Sequence, residues 1–104
     1  MLRSAEFRNI YDNGVRLSGP LFAAFILARP EQGSGARLGL TVPRAVGDAV
    51  HRNRIKRRLR EAFRLRRAAL GDYDVVVNPR RAFLAASPAE FQRALDKLVD
   101  RIKA

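Results

Sequence analysis

The spacing of apolar residues changes along the chain, and each change marks an element. In "SAEFRNIYDNG" Phe7, Ile10 and Tyr11 recur three and four apart, which sets them on one side of a short helix. Ser4 can cap its start, and Asn13-Gly14 suits a left-handed turn at its end. A short extended piece, Val15 to Leu17, leads through Ser18-Gly19-Pro20 into the apolar run Leu21 to Ala28, a buried strand. "RPEQGSGA" reads as a polar loop. After it, Leu38, Leu40 and Val42 alternate with Arg37, Gly39 and Thr41, as in a strand with one wet face.

Helical spacing returns beyond Asp48, the expected N-cap, and stops at Gly71. At about 100° per residue, Ile55, Leu59, Ala62 and Phe63 gather within about a third of the circumference, a stripe that needs a core. "YDVVVNP" is a β-branched strand closed by Pro79, and the segment after it is irregular or briefly helical. Ser87-Pro88-Ala89-Glu90 forms a capping box with proline at the first helical position. Phe91, Leu95, Leu98, Val99 and Ile102 then repeat at helical spacing. The order α-β-β-β-α-β-α predicts an α+β sandwich in which helices pack on a small sheet, with a single domain spanning residues 1–104.

Composition narrows the class. The chain has no cysteine, so disulfides and thiolate metal sites are excluded. Its longest apolar run, "PLFAAFILA", is shorter than the about 20 residues of a bilayer-spanning helix. "MLRSAEF" lacks the apolar core of a secretory signal, so a cytoplasmic location is expected and no membrane partner is.

Charge changes the picture most. Between Arg52 and Arg67 lie nine Arg or Lys against one acid, Glu61, so this segment supplies +8 of the net +11. Neighbouring cations on a helix repel by a few tenths of a kcal/mol per pair, and a concentrated patch on a chain of pI near 11.6 is the footprint of a nucleic-acid binder. Arg54, Lys56, Arg57, Arg58, Arg60, Arg64 and Arg67 occupy the arc away from the apolar stripe, and Arg52 lies at its edge, where the stem can pack and the guanidinium emerge. Arginine donates two parallel hydrogen bonds to phosphate and stacks on bases, while Asn53 offers a donor and an acceptor together. Phe7, Tyr11, Phe22 and Phe25 are candidate stacking platforms, with ordinary core packing as the alternative.

Catalytic chemistry is not visible. His51 is the sole histidine, so neither a histidine triad nor a multi-histidine metal site can be assembled; capping or packing at the helix start is its expected role. Asp72 and Asp74 flank Tyr73 and could hold Mg²⁺, although acids beside a turn more commonly accept local hydrogen bonds. "GSGARLG" is only superficially a phosphate loop, because no helical pattern opens after it. No residue is assigned as catalytic and none as a metal ligand. Binding remains.

The run from Arg37, "RLGLTVPRAVGDAVHRNRIKRRLREAF", resembles the signature of the bacterial ribonuclease P protein subunit. That pattern joins an R-x-G-x-x-V strand, a basic link, G-N-A-V and an R-N-R-x-K-R helix. Arg37, Gly39, Val42, Gly47, Ala49, Val50, Arg52, Asn53, Arg54, Lys56, Arg57 and Arg60 match in identity and spacing, and "EFRNIYDNG" is similar to the family's first helix. The resemblance implies a subunit that joins a large catalytic RNA and assists metal-dependent removal of the 5′ leader from precursor tRNA. It implies that the RNA holds the Mg²⁺, that the protein alone is inactive, and that one protein serves each RNA. Arg44, Arg52, Asn53, Arg54, Lys56, Arg57, Arg58 and Arg60 would face the catalytic RNA; Phe7, Tyr11 and Phe25 would line a cleft for the single-stranded leader.

The resemblance further implies a small mixed sheet in which the strand near Leu38 to Val42 lies parallel to the one near Asp74 to Val77. The crossover would be left-handed, as in the second domain of a small-subunit ribosomal protein and against the general preference. Four features depart from the pattern. Asp48 stands where the family has Asn, and Ala45 where a second basic residue follows Arg44. Asn78-Pro79-Arg80-Arg81 replaces an Arg before Pro, so Arg80 and Arg81 carry over only weakly. Only Met1-Leu2-Arg3 lead into Ser4. Two other readings share the basic helix: a ribosomal protein packed on rRNA, and a DNA-binding module, for which no helix-turn-helix spacing is present.

Overall fold

The computed structural model describes residues 4–29 and 35–103. The glycine-serine part of the polar loop and the three residues before Ser4 lie outside them. The elements follow the expected order: α1 (Ser4–Asn13), β1 (Val15–Ser18), β2 (Phe22–Ala28), β3 (Arg37–Leu40), α2 (Ala49–Leu70), β4 (Tyr73–Pro79) and α3 (Pro88–Lys103). Single 3-10 turns at Arg44–Val46 and Arg81–Ala85 precede α2 and α3.

One four-stranded mixed sheet has the order β1-β2-β4-β3. β2 is antiparallel to β1 and β4, whereas β3 runs parallel to β4 with Leu38 opposite Val75, the adjacency the sequence implied. β4 is therefore central, and a strand covered on both faces reads as a continuous apolar run, which is what "VVV" supplies. Its two-residue period splits the core. Val75 and Val77 join Phe22, Ala24, Ile26 and Leu38 beneath α2 and α3, against Ile55, Leu59, Phe63, Phe91, Leu95 and Leu98. Val76 has the opposite parity and joins Ile10 of α1, with Phe7, Tyr11, Phe25 and Leu27 packed around them. Phe83, delivered by the second 3-10 turn, is wholly buried in the larger cluster. Truncating it to Ala would cost about 3–5 kcal/mol.

Both ends of α2 and the start of α3 form as the sequence indicates. Asp48 caps α2, accepting from the His51 amide at 3.0 Å. Gly71 closes it at φ 81°, where an L side chain would be strained. Ser87 and Glu90 form the reciprocal box, with the Glu90 amide 3.2 Å from Ser87 Oγ and the Ser87 amide 3.5 Å from Glu90 Oε1.

Two local expectations are corrected. Gly14 does not take a left-handed conformation; its role is close approach. A Cβ there would stand 2.5 Å from the Ile10 carbonyl oxygen and 2.8 Å from that of Ile26, so glycine lets the end of α1 sit directly on β2. β3 ends at Leu40 and its second face is only partly wet: Thr41 is exposed, but Gly39 is buried and Arg37 half-buried on the face that α1 shares.

Candidate nucleic-acid interface

α2 carries its cations in two different ways. In its N-terminal half Arg54, Arg57 and Arg60 are exposed, three residues apart, and sweep about 120° of the helix surface. None of their side chains makes a hydrogen bond or ion pair with another described residue, and the same holds for the side chains of Lys56, of Asn53 and of Arg44 in the turn just before the helix. Arg52 sits at the edge of the apolar stripe as expected, with its Nε buried and without a hydrogen-bond partner among the described residues. Here the positive charge is unanswered among the described residues. Asp48 and His51 face each other at the helix start, Asp48 Oδ1 lying 2.7 Å from His51 Nδ1. The backbone hydrogen bond from His51 holds the Asp48 carboxyl below the usual carboxylate range, with the His51 ring adding to the effect.

The C-terminal half is tied down. Arg66 donates to Asp96 at 3.1 Å, to the Ala62 carbonyl at 3.1 Å and to Gln92. Arg67 donates to the Ala36 carbonyl at 2.9 Å and lies over Gly35, whose φ of 76° and lack of Cβ admit it. Arg64 pairs with Glu61 at 2.5 Å, an exposed contact worth only a few tenths of a kcal/mol and easily surrendered. The sequence placed Arg64 and Arg67 on the same charged arc as Arg54; the structure separates them. Arg58 also differs from expectation. Its guanidinium lies 5.4 Å from the Phe83 ring centroid and 4.8 Å from that of Phe91, a cation–π contact worth about 1–2 kcal/mol when partly desolvated. It bolts α2 to α3.

The aromatic candidates divide along the strand parity. Phe22 is buried under α3, on the other face of the sheet. Phe7, Tyr11 and Phe25 come together on the opposite face of the sheet from α2, with Tyr11 edge-on to Phe25 at 4.7 Å between centroids and to Phe7 at 6.5 Å. All three remain half-buried, so part of each ring meets solvent. The Tyr11 hydroxyl donates to Asn78 Oδ1 at 3.2 Å and lies 3.2 Å from Thr41 Oγ1. Thr41 and Asn78 were not singled out from sequence, although each shares the parity of a residue already placed on this face: Arg37 for Thr41, Val76 for Asn78.

Beside this patch Asp74 is engaged by two arginines. It is buried and accepts from Arg37 Nε and Nη2, both at 2.8 Å, while Arg29 Nε stands 3.6 Å away. Its hydrogen bond raises the pKa of Arg37 above the ordinary guanidinium value. Arg37 in turn reaches Glu6 of α1 at 3.0 Å, so one guanidinium joins the helix under the aromatics to the central strand. Asp72 accepts from the Gly35 amide at 2.8 Å. These acids serve local structure, and no group of three or more potential metal ligands occurs among the described residues. No helix among the described residues is long and apolar enough to cross a membrane.

The family model described as Ribonuclease P matches residues 1–103. The chain belongs to the ribonuclease P protein component family. Members of that family provide the protein part of tRNA-processing ribonuclease P, and curated relatives match along most of their length. The component from Desulfosudis oleivorans is 39% identical over 99 residues, covering 94% of this chain and 80% of that one. The component from Methylococcus capsulatus is 43% identical over 93 residues, covering 88% and 71%. Among solved structures, the RNase P protein from Thermotoga maritima has a TM-score of 0.86 at 28% identity, covering 96% of this chain and 94% of that one. The RNase P protein from Staphylococcus aureus has a TM-score of 0.86 at 26% identity, covering 99% and 94%. The small α+β sandwich is thus the ribonuclease P protein fold.

Proposed function

We propose that this chain binds the catalytic RNA of ribonuclease P through the N-terminal half of α2 and holds the leader of precursor tRNA across the α1 face. The observation that carries the reading is the cluster Arg44, Arg52, Asn53, Arg54, Lys56, Arg57 and Arg60, whose cations have no counter-charge within the described protein. Each arginine that meets a phosphate releases condensed counterions, which makes association strong and salt-dependent. Arg58 belongs to this set only through its exposed edge, since its guanidinium is stacked on Phe83 and Phe91.

Phe7, Tyr11 and Phe25 supply the second surface. Unpaired bases stack on half-exposed rings with little regard to sequence, which suits a leader of varied composition. The two surfaces lie on opposite faces of the sheet, so one RNA can be held while another is presented. The protein's own groups do the binding and orienting. Catalysis belongs to the RNA, which would hold the Mg²⁺ required for phosphodiester hydrolysis. One protein per RNA and a cytoplasmic location complete the reading.

Reconstitution with the matching RNA tests it. Precursor tRNA should be cleaved at low Mg²⁺ only when both components are present. Turnover by the nuclease-free protein alone, or no stimulation of the RNA by the protein, would remove the reading.

A further inference from the structure

A third surface lies away from both. The turn Ser18-Gly19-Pro20 and the outer side of α3 enclose a half-open groove of about 480 Å³. Its floor is apolar, made by Leu17, Leu21, Phe22, Ala94 and Leu98. Its rim is Arg93, Lys97 and Arg101, spaced four apart on one line of the helix with about 6 Å of rise between successive cations. Like charges at this spacing repel, and the rim offers them no counter-ion. Glu90, the one acid among the described residues of the groove, is turned toward the Ser87 amide in the helix cap. The side chains of Arg93 and Lys97 are exposed and make no ion pair or hydrogen bond with another described residue.

The opposite wall is fixed. Arg80 donates to the Gly19 carbonyl at 3.0 Å and to Ser18 Oγ at 2.8 Å, and Arg101 donates to the Ser18 carbonyl at 3.1 Å. The Gly19 amide closes the turn on the Phe22 carbonyl at 3.0 Å. A turn held by two guanidinium groups keeps the groove open without a ligand.

We propose that this groove is a binding site for a single-stranded RNA segment, one unpaired base resting on the apolar floor and the flanking phosphates following Arg93 and Lys97. The rise between the cations suits successive phosphates of an extended strand. A flat hydrophobic floor beside that row accepts a base face, which a row of cations alone would not need. The site does not depend on the roles proposed for α2 and α1.

The test uses oligoadenylate of eight nucleotides and a full chain in which Arg54, Arg57 and Arg60 are Ala, so that α2 does not mask weaker binding. In that background Arg93→Ala with Lys97→Ala should lower the slope of log affinity against log salt by about 1.4, two cations at about 0.7 each on single strands. Ala94→Leu fills the floor and leaves every charge; it should weaken binding about tenfold with the slope unchanged. In the unsubstituted chain, the amide resonances of Gly19, Ala94 and Lys97 should shift on titration, which keeps the test valid if a variant folds poorly. Absence of shifts there, or affinity indifferent to both sets of substitutions, overturns the proposal. So does equal competition by duplex RNA, which would leave only unspecific charge, or by octaglutamate, which would make the partner an acidic polypeptide.

Discussion

The two halves of α2 are alike in sequence and opposite in circumstance. "RNRIKRRLR" and "EAFRLRR" both mix arginine with the same apolar stripe. In the first, every cation but Arg58 lacks a partner among the described residues; in the second, Arg66 and Arg67 spend their donors on Asp96, Gln92 and the Ala62 and Ala36 carbonyls. The lesson is that arginine count measures neither binding nor stability. A guanidinium held by carbonyls has its hydrogen-bond geometry already used, whereas one facing water keeps its fork for phosphate.

Substitution should separate the halves cleanly. Arg54, Arg57 and Arg60 replaced together by Ala should lower the salt slope of binding to the catalytic RNA by about 2.7, on the duplex-like value of about 0.9 per phosphate, and leave the urea midpoint unchanged. An unchanged slope, from titrations between 50 and 200 mM salt, would put these arginines in solvent for no purpose. Arg66→Ala should do the reverse. It should cost about 1–2 kcal/mol in urea unfolding, because charged hydrogen bonds to Asp96 and a carbonyl are lost, and leave the slope as it was.

Tyr11 belongs to neither half and serves as the control. Tyr11→Phe keeps the ring and should leave the α2 salt slope untouched while costing about 1 kcal/mol of stability, since Asn78 and Thr41 lose a shared partner. Tyr11→Ala should weaken leader-bearing precursor against mature tRNA, and equal weakening of both would dismiss the aromatic cleft. The smallest effect belongs to Asp48. Its carboxyl is depressed by the His51 amide, so its capping contribution is present above the unfolded aspartate pKa of about 3.9 and lost as pH falls through the lower folded value. Asp48→Asn should flatten that acid limb of the urea midpoint.

Much of this was legible in sequence. Period and caps located the three helices and four strands, and the stripe Ile55, Leu59, Ala62 and Phe63 named the buried face of α2. The division of α2 was not legible, because it is decided by residues 26 to 31 positions away, and helical spacing carries no information about partners at that distance. The ring contacts of Arg58 were hidden for the same reason: both rings beneath it come from later elements. Gly14 was read by the commonest use of glycine at a helix end, and its actual use depends on the Ile26 carbonyl across the sheet. Asp74 held a missed signal, an acid alternating into a β-branched strand opposite Arg37 in the parallel register.

The central placement of β4 bears on the order of events as the chain is made. Val75 and Val77 back the face that seats α2, while Val76 and Asn78 back the face that seats α1. A nascent chain that has emerged only through Leu70 therefore exposes its arginines with no scaffold behind them on either side. One late strand completes both surfaces at once, and it must reach partners some fifty residues upstream in β2. Such long-range pairing is slow compared with helix formation. The two sides thus mature together, once β4 has emerged, and a chain cut short before β4 has neither.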